Sequence, residues 1–235
     1  MDAALLNFTK SLHFVYPLSF ESGDPDWPVY CGGTCFAITD GPQLFIITAK
    51  HCIEGRADDP LILGPTKTWF PLKQHIFLGS NTGELDWEDI SCFTTYGAEH
   101  WPEMGPADAI DLNDLMTRKI FADDDSLLVV TGFPDFETEI LEGTIVRKAT
   151  LLVGRFGGRT NDPHCYFFRI VHPQLVAPNG LSGSPVLKVE RGTNGAFSSK
   201  LLGMVIRGGE GSPMLRFIGV DVLIRMLQKI RRTAG

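Results

Sequence analysis

The sequence lacks several features that would settle its class at once. No run of about 18 apolar residues occurs, so no membrane span is expected. Basic residues are in the minority, with 21 Lys and Arg against 28 Asp and Glu for a net charge of −7. Phosphate backbones select a basic face, so a nucleic-acid partner is not expected either. Cysteines number five, an odd count that does not make a disulfide framework. Cys31 and Cys35 have no matching second pair, and His13, His75, His100, His164 and His172 show no paired spacing. No metal site and no cofactor is expected from them. The run Asp123-Asp124-Asp125 has no ordered ligand spacing behind it and reads as a solvated loop. The opening Met1-Asp2-Ala3-Ala4-Leu5-Leu6-Asn7 is acidic, and its apolar run is too short for a secretory signal. A cytoplasmic location is the expectation.

Long helical patterns are scarce too, and turn chemistry takes their place. The 235 residues include 25 Gly and 15 Pro, which favours short strands joined by turns. Cys35–Thr39 and Leu44–Thr48 flank Asp40-Gly41-Pro42 and read as a hairpin. Further strands are expected at Trp69–Leu72, His75–Gly79, Ile90–Tyr96, Ser126–Gly132, Gly143–Val146, Tyr166–Val171, Pro185–Val189 and Leu201–Ile206. The stretch from 97 to 125 is poor in strand signals and reads as a connector with a short helical turn. Near the end the period changes. Leu223, Met226, Leu227 and Ile230 recur at helical spacing, with Asp221 early and Lys229, Arg231 and Arg232 late, as the helix dipole favours. The expected fold is all-β: two six-stranded antiparallel barrels followed by a C-terminal helix. The first barrel would take residues 10–115 and the second, with the helix, residues 126–235. Residues 116–125 would connect them.

Two distant segments carry chemistry. Asn179-Gly180-Leu181-Ser182-Gly183-Ser184-Pro185 sets a serine in a Gly-rich turn, where backbone amides can face a carbonyl oxygen. Ile46-Ile47-Thr48-Ala49-Lys50-His51-Cys52 places a histidine directly after an apolar strand. A serine hydroxyl is a weak nucleophile until a base takes its proton, so the pair makes acyl transfer the candidate reaction. Alone, each is bland: a Gly-Ser-Pro cluster is ordinarily a tight turn, and a histidine after a strand is ordinarily a packing or surface residue.

In chain order, Cys31-Gly32-Gly33-Thr34-Cys35-Phe36, Thr48-Ala49-Lys50-His51-Cys52 and Gly180-Leu181-Ser182-Gly183-Ser184-Pro185 resemble three signatures of the chymotrypsin-like serine proteases. The Ser-Gly-Ser-Pro-Val form and the ending Gly203-Met204-Val205-Ile206-Arg207-Gly208-Gly209 are similar to the bacterial glutamyl endopeptidase branch. The resemblance covers residues 30 to 232 and is weak between the signatures. It implies a Ser-His-Asp triad of Ser182, His51 and a carboxylate. Asp89, before the strand Ile90-Ser91-Cys92-Phe93, is the preferred third member; Asp108 and Asp86 are the alternatives. The amides of Gly180 and Ser182 would form the oxyanion hole.

The resemblance also marks departures. Leu181 stands where digestive members carry an aspartate that pairs with a freshly cut N-terminus, so activation by cleavage is not expected. Either the loop forms on folding or an activating protein partner orders it. Cys31 and Cys52 match positions bridged in secreted members, and two reduced, facing thiols are the competing reading in a cytoplasmic chain. Val176, Ala177, Ile206, Arg207 and Gly208 would line the substrate pocket. Val176 in place of a basal aspartate argues against Lys or Arg selection. A small or medium apolar side chain is expected there, with Arg207 able to attract an acidic one instead. The expected activity is a serine endopeptidase acting on a peptide or protein substrate. Against it stand a catalytically silent binding module of the same fold and an effector that cuts one specific partner.

Overall fold

The computed structural model describes residues 12–25, 29–55, 60–62, 72–77, 85–95, 108–117, 123, 125–134, 138–141, 144–171, 179–192, 196–209 and 211–234. The first half of the chain builds one seven-stranded sheet. Its strands are β1 (Val15–Glu21), β2 (Val29–Asp40), β3 (Gln43–Thr48), β4 (Leu61–Ile62), β5 (Leu72–Phe77), β6 (Ser91–Thr95) and β7 (Ile110–Asp111). The order across it is β4-β1-β2-β3-β6-β5, and β7 pairs with β2 in parallel. A short helix, α1 (Leu112–Thr117), leads out of it. The second half begins with β8 (Leu127–Gly132), followed by the separate hairpin of β9 (Thr138–Leu141) and β10 (Thr144–Arg147). Then come β11 (Thr150–Arg159), β12 (Cys165–Ile170), β13 (Pro185–Arg191), β14 (Phe197–Gly208) and β15 (Met214–Gly219). Six of these close into an antiparallel barrel, β11-β12-β15-β14-β13-β8, and α2 (Val220–Ala234) ends the chain.

The two halves share a strand order that no sequence repeat announces. Numbered within its half, the barrel runs first-second-third-sixth-fifth-fourth and closes on itself. The N-terminal sheet has the same cyclic order, with β4 beside β1 and β5 at the opposite edge. Among the described residues β4 and β5 do not pair, so one closed barrel and one open sheet replace the expected pair of barrels.

Alternation along the barrel strands explains why they are buried on both faces. Leu128, Val130, Val186, Val205, Leu215 and Phe217 fill the barrel interior, with Phe168 among them. Their neighbours Val129, Leu187, Met204 and Ile218 face outward into a second cluster shared with the N-terminal sheet and α2. In that cluster Phe36, Ile38, Ile46 and Ile47 are fully buried, as are Leu223 and Leu227 of the helix. Leu223, Met226, Leu227 and Ile230 form its buried stripe, and Arg231 reaches back to Asp40 at 2.8 Å. No helix among the described residues is long and apolar enough to cross a membrane.

Candidate functional site

The register of β3 and β6 brings His51 to Asp89. Thr48 pairs with Ser91 in an antiparallel ladder. The chain leaving β3 and the chain entering β6 therefore lie at the same end of the sheet. Each makes one 3-10 turn there, Lys50–Cys52 on one side and Asp86–Glu88 on the other. The start of a helical turn leaves backbone N–H groups without partners. Asp89 supplies them: its carbonyl accepts from Lys50 N at 3.3 Å, and its Oδ1 from His51 N at 2.9 Å. The remaining carboxylate oxygen, Oδ2, accepts from His51 Nδ1 at 2.6 Å. One carboxylate thus caps the turn and orients the ring. The Asp89 side chain is 11% exposed and that of His51 is 46% exposed, so the ring faces solvent from a buried anchor. The bond to Asp89 and the contact with Cys52 outweigh desolvation and push the His51 pKa up to about 10.

The two alternative carboxylates sit elsewhere. Asp86 pairs with Arg207 at 3.3 Å and with Arg216, and its amide donates to Asp162 Oδ2 at 2.6 Å. The Asp108 carbonyl accepts the Tyr16 hydroxyl at 2.9 Å, and its charge helps raise the pKa of that buried phenol.

A second antiparallel register positions Ser182. Pro185 pairs with Met204, so the loop ahead of β13 runs beside the end of β14. Gly183 N donates to Val205 O and Val205 N to Ser184 O, both at 2.8 Å. The Ser182 hydroxyl donates to the Ile206 carbonyl at 3.3 Å. Gly180 and Gly183 both have φ +88°, a left-handed conformation that glycine adopts without steric cost. Leu181 is buried, at 1% exposed, and packs into the barrel core.

The halves meet through Cys52 and Thr34. Cys52 Sγ lies 3.7 Å from His51 Nε2 and 3.9 Å from the Ser182 carbonyl oxygen. Thr34 N donates to that same Ser182 oxygen at 2.9 Å. The histidine and serine segments, far apart in sequence, are therefore neighbours across the junction of the two halves. The Ser182 hydroxyl bonds the Ile206 carbonyl, and Nε2 of His51 faces sulfur.

The remaining expected residues divide. Cys31 and Cys52 are not joined in a disulfide. The Cys31 thiol donates to the carbonyls of Gly33 at 3.2 Å and Phe133 at 3.6 Å, so it is turned to backbone acceptors. Of the pocket residues, Ile206 is fully buried and Arg207 and Gly208 are exposed, with Arg207 drawn toward Asp86. Val176 and Ala177 lie outside the described residues. Among the described residues no group of three or more His, Cys, Asp or Glu gathers as a metal set would. The sequence reading missed three participants: Thr34, Cys52 as a neighbour of the imidazole, and the Asp86 link to Arg207 and Arg216. Thr34 carried one signal, a hydroxyl among apolar residues on a buried strand.

No protein-family profile matches the chain and no curated protein sequence matches it.

Proposed function

We propose that this chain is a serine endopeptidase of trypsin-like architecture, with Ser182 as nucleophile, His51 as general base and Asp89 as its orienting carboxylate. The closed barrel, and an N-terminal sheet that repeats its cyclic strand order without closing among the described residues, support that architecture. The observation that carries the proposal is the contact between His51 Nδ1 and Asp89 at 2.6 Å, set beside the Ser182 loop. A carboxylate on Nδ1 leaves Nε2 as the atom that exchanges protons.

The steps balance without a cofactor. The Ser182 hydroxyl turns from Ile206 toward Nε2; at 3.3 Å the bond it gives up is long for an O–H···O contact and costs about 1 kcal/mol or less. Oγ attacks the peptide carbonyl carbon as its proton passes to Nε2. The amides of Gly180 and Ser182 take the oxyanion. The C–N bond breaks, Nε2 returns the proton to the leaving amine, and water hydrolyses the acyl-enzyme by the same route reversed. The subsite beside Ser182 takes a small or medium apolar side chain. Arg207 is already paired with Asp86, which weakens its claim on an acidic one.

A second reading, a silent binding module, draws on the Ser182 bond to Ile206 and the position of Cys52 against Nε2. A fluorophosphonate probe on the purified chain separates the two. Labelling that is lost in Ser182→Ala supports the protease. An unlabelled wild type at every pH up to 10, where His51 has begun to deprotonate, favours the module. Labelling with little turnover of casein would indicate an effector that cuts one partner.

A further inference from the structure

We propose that Thr34 is a positioning residue that sets the Ser182 loop from the opposite half of the molecule, so that the loop takes its working shape on folding, with no cut N-terminus and no partner. The catalytic part of this inference rests on the reading of Ser182 as nucleophile; the ordering of the loop does not.

Residues 179–184 have an evident need of support. Two of their glycines hold positive φ, and Leu181, buried in the barrel core, has no charge to pair with an amino terminus. Thr34 is fully buried and every polar group it has is used. Its Oγ1 donates to the Gly180 carbonyl at 2.7 Å and accepts from Phe133 N at 2.9 Å. Its N–H donates to the Ser182 carbonyl at 2.9 Å. Its own carbonyl accepts from Thr48 Oγ1 at 2.7 Å, which ties the contact back to the end of β3 and so to the turn that carries His51.

These bonds fix directions as well as positions. Thr34 holds the carbonyls of Gly180 and Ser182, and Ser184 N holds the carbonyl of Leu181 between them at 3.0 Å. In a planar trans peptide the N–H points opposite to the C=O of the same unit. With the Leu181 carbonyl bound toward Ser184, the Ser182 N–H faces the other way. Three successive carbonyls are thus occupied inside the protein, and of the two amides assigned to the oxyanion that of Ser182 is turned away from them. Close packing enforces the arrangement: a Cβ on Gly132 would stand 2.9 Å from Thr34 Oγ1, and one on Gly33 would stand 3.1 Å from the Ser182 oxygen.

Thr34→Val keeps the shape and removes the hydroxyl, leaving the Gly180 carbonyl and the Phe133 amide unpaired. Thr34→Ser restores the hydroxyl. Val189→Ala, in the shared core, serves as a destabilised control away from the loop. Two readouts are compared. Hydrogen exchange of the 179–184 segment is expected to speed up about tenfold in Thr34→Val and to return close to wild type in Thr34→Ser. Fluorophosphonate labelling and kcat are expected to fall about tenfold or more in Thr34→Val with KM little changed, and to hold in Val189→Ala. Unchanged exchange in Thr34→Val, or equal losses in Val189→Ala, would overturn the proposal. Faster exchange in Thr34→Val together with a wild type that never labels would keep the loop-ordering role and reject Ser182 as nucleophile. Should Thr34→Val fail to fold, the purified wild type decides: slow exchange in this segment without partner or proteolysis supports the proposal, and protection that appears only after either is added refutes it.

Discussion

Gly183→Ala is the substitution whose cost the structure lets one work out most directly. Gly183 has φ +88° and sits where the Ser182 loop touches β2. A Cβ there would stand 1.9 Å from the Thr34 carbonyl oxygen and 2.5 Å from Thr48 Oγ1. Neither neighbour is a flexible side-chain end. The first is backbone in a ladder, and the second already donates to that same oxygen at 2.7 Å. The loop cannot retreat, because Gly183 N is bonded to Val205 O at 2.8 Å on its far side.

Three costs therefore fall together. An L side chain in the left-handed region costs roughly 1–2 kcal/mol. Forcing a methyl into a filled junction costs roughly 1–3 kcal/mol, and the displaced Thr48 bond about 1 kcal/mol. The expected loss is about 3 to 6 kcal/mol, which at about 2–4 °C per kcal/mol for a chain of this size lowers Tm by roughly 6 to 24 °C. Gly23→Ala separates strain from crowding: Gly23 has φ +75° with nothing within 4 Å of its would-be Cβ. It should lose only about 1–2 kcal/mol. Urea unfolding followed by fluorescence, with m checked for constancy, measures both. Equal losses at the two sites would show that the Ser182 loop is not pressed against Thr34, and the argument for a loop set by the opposite half would fail with it.

Two further outcomes follow from charge. His51 is lifted from 6.5 to about 10, first by Asp89 and next by Cys52, so the unprotonated base accumulates only as pH rises toward that value. The acid limb of kcat/KM should lie more than about one unit above the ordinary imidazole value. Cys52→Ala should move that limb down, and an imidazole NMR titration of Asp89→Asn should show a larger fall; a limb near 6.5 in the wild type would refute the cause assigned. The sign for stability is the reverse of that for activity. The charged pair contributes fully below about 6.5 and its contribution fades as pH climbs toward 10. Asp86→Asn should cost about 1 kcal/mol or somewhat more at low salt, because its partners Arg207 and Arg216 are well exposed, at 62% and 35%, and screening limits each pair. A loss that does not shrink in urea titrations at high salt would show that the charges are not its source.

Apolar strands bounded by turns were readable before any coordinates. β3, β6, β8, β12, β13 and β14 fall within a few residues of the expected runs, and the helical stripe of Leu223, Met226, Leu227 and Ile230 is the buried face of α2. Other strands escaped for physical reasons. β1 contains Pro17, which cannot donate to a ladder and argues against a central strand. β11 contains Gly154, Gly157 and Gly158, which read as loop; at Gly154 the missing side chain makes room for Phe168, whose Cζ would lie 2.4 Å from a Cβ. The expected strand at Trp69–Leu72 lies mostly outside the described residues. For the site, residue types were legible and contacts were not. The strand that follows Asp89 favoured it over Asp86, but the partner of each was not legible; a separation of three residues across a 3-10 turn sends one carboxylate to His51 and the other to Arg207 and Arg216.

Strand order is the property that composition and periodicity cannot supply, and it decides which loops meet. Both halves share one cyclic order, yet they use it differently. In the first half the third and sixth strands, β3 and β6, are neighbours, and their common end presents His51 and Asp89. In the second half the fourth and fifth strands, β13 and β14, are neighbours, and their common end presents Ser182 beside Ile206. A pair of loops from equivalent strands would set like against like across the junction. The unequal use sets an imidazole with its carboxylate against a hydroxyl with its Gly-rich turn. Thr34, on the second strand of the first half, reaches both the Ser182 loop and the residue that follows the first strand of the other half, Phe133. The two ends are therefore locked to each other by the hydroxyl and amide of one buried threonine, whose bonds do not depend on the surface charges around them.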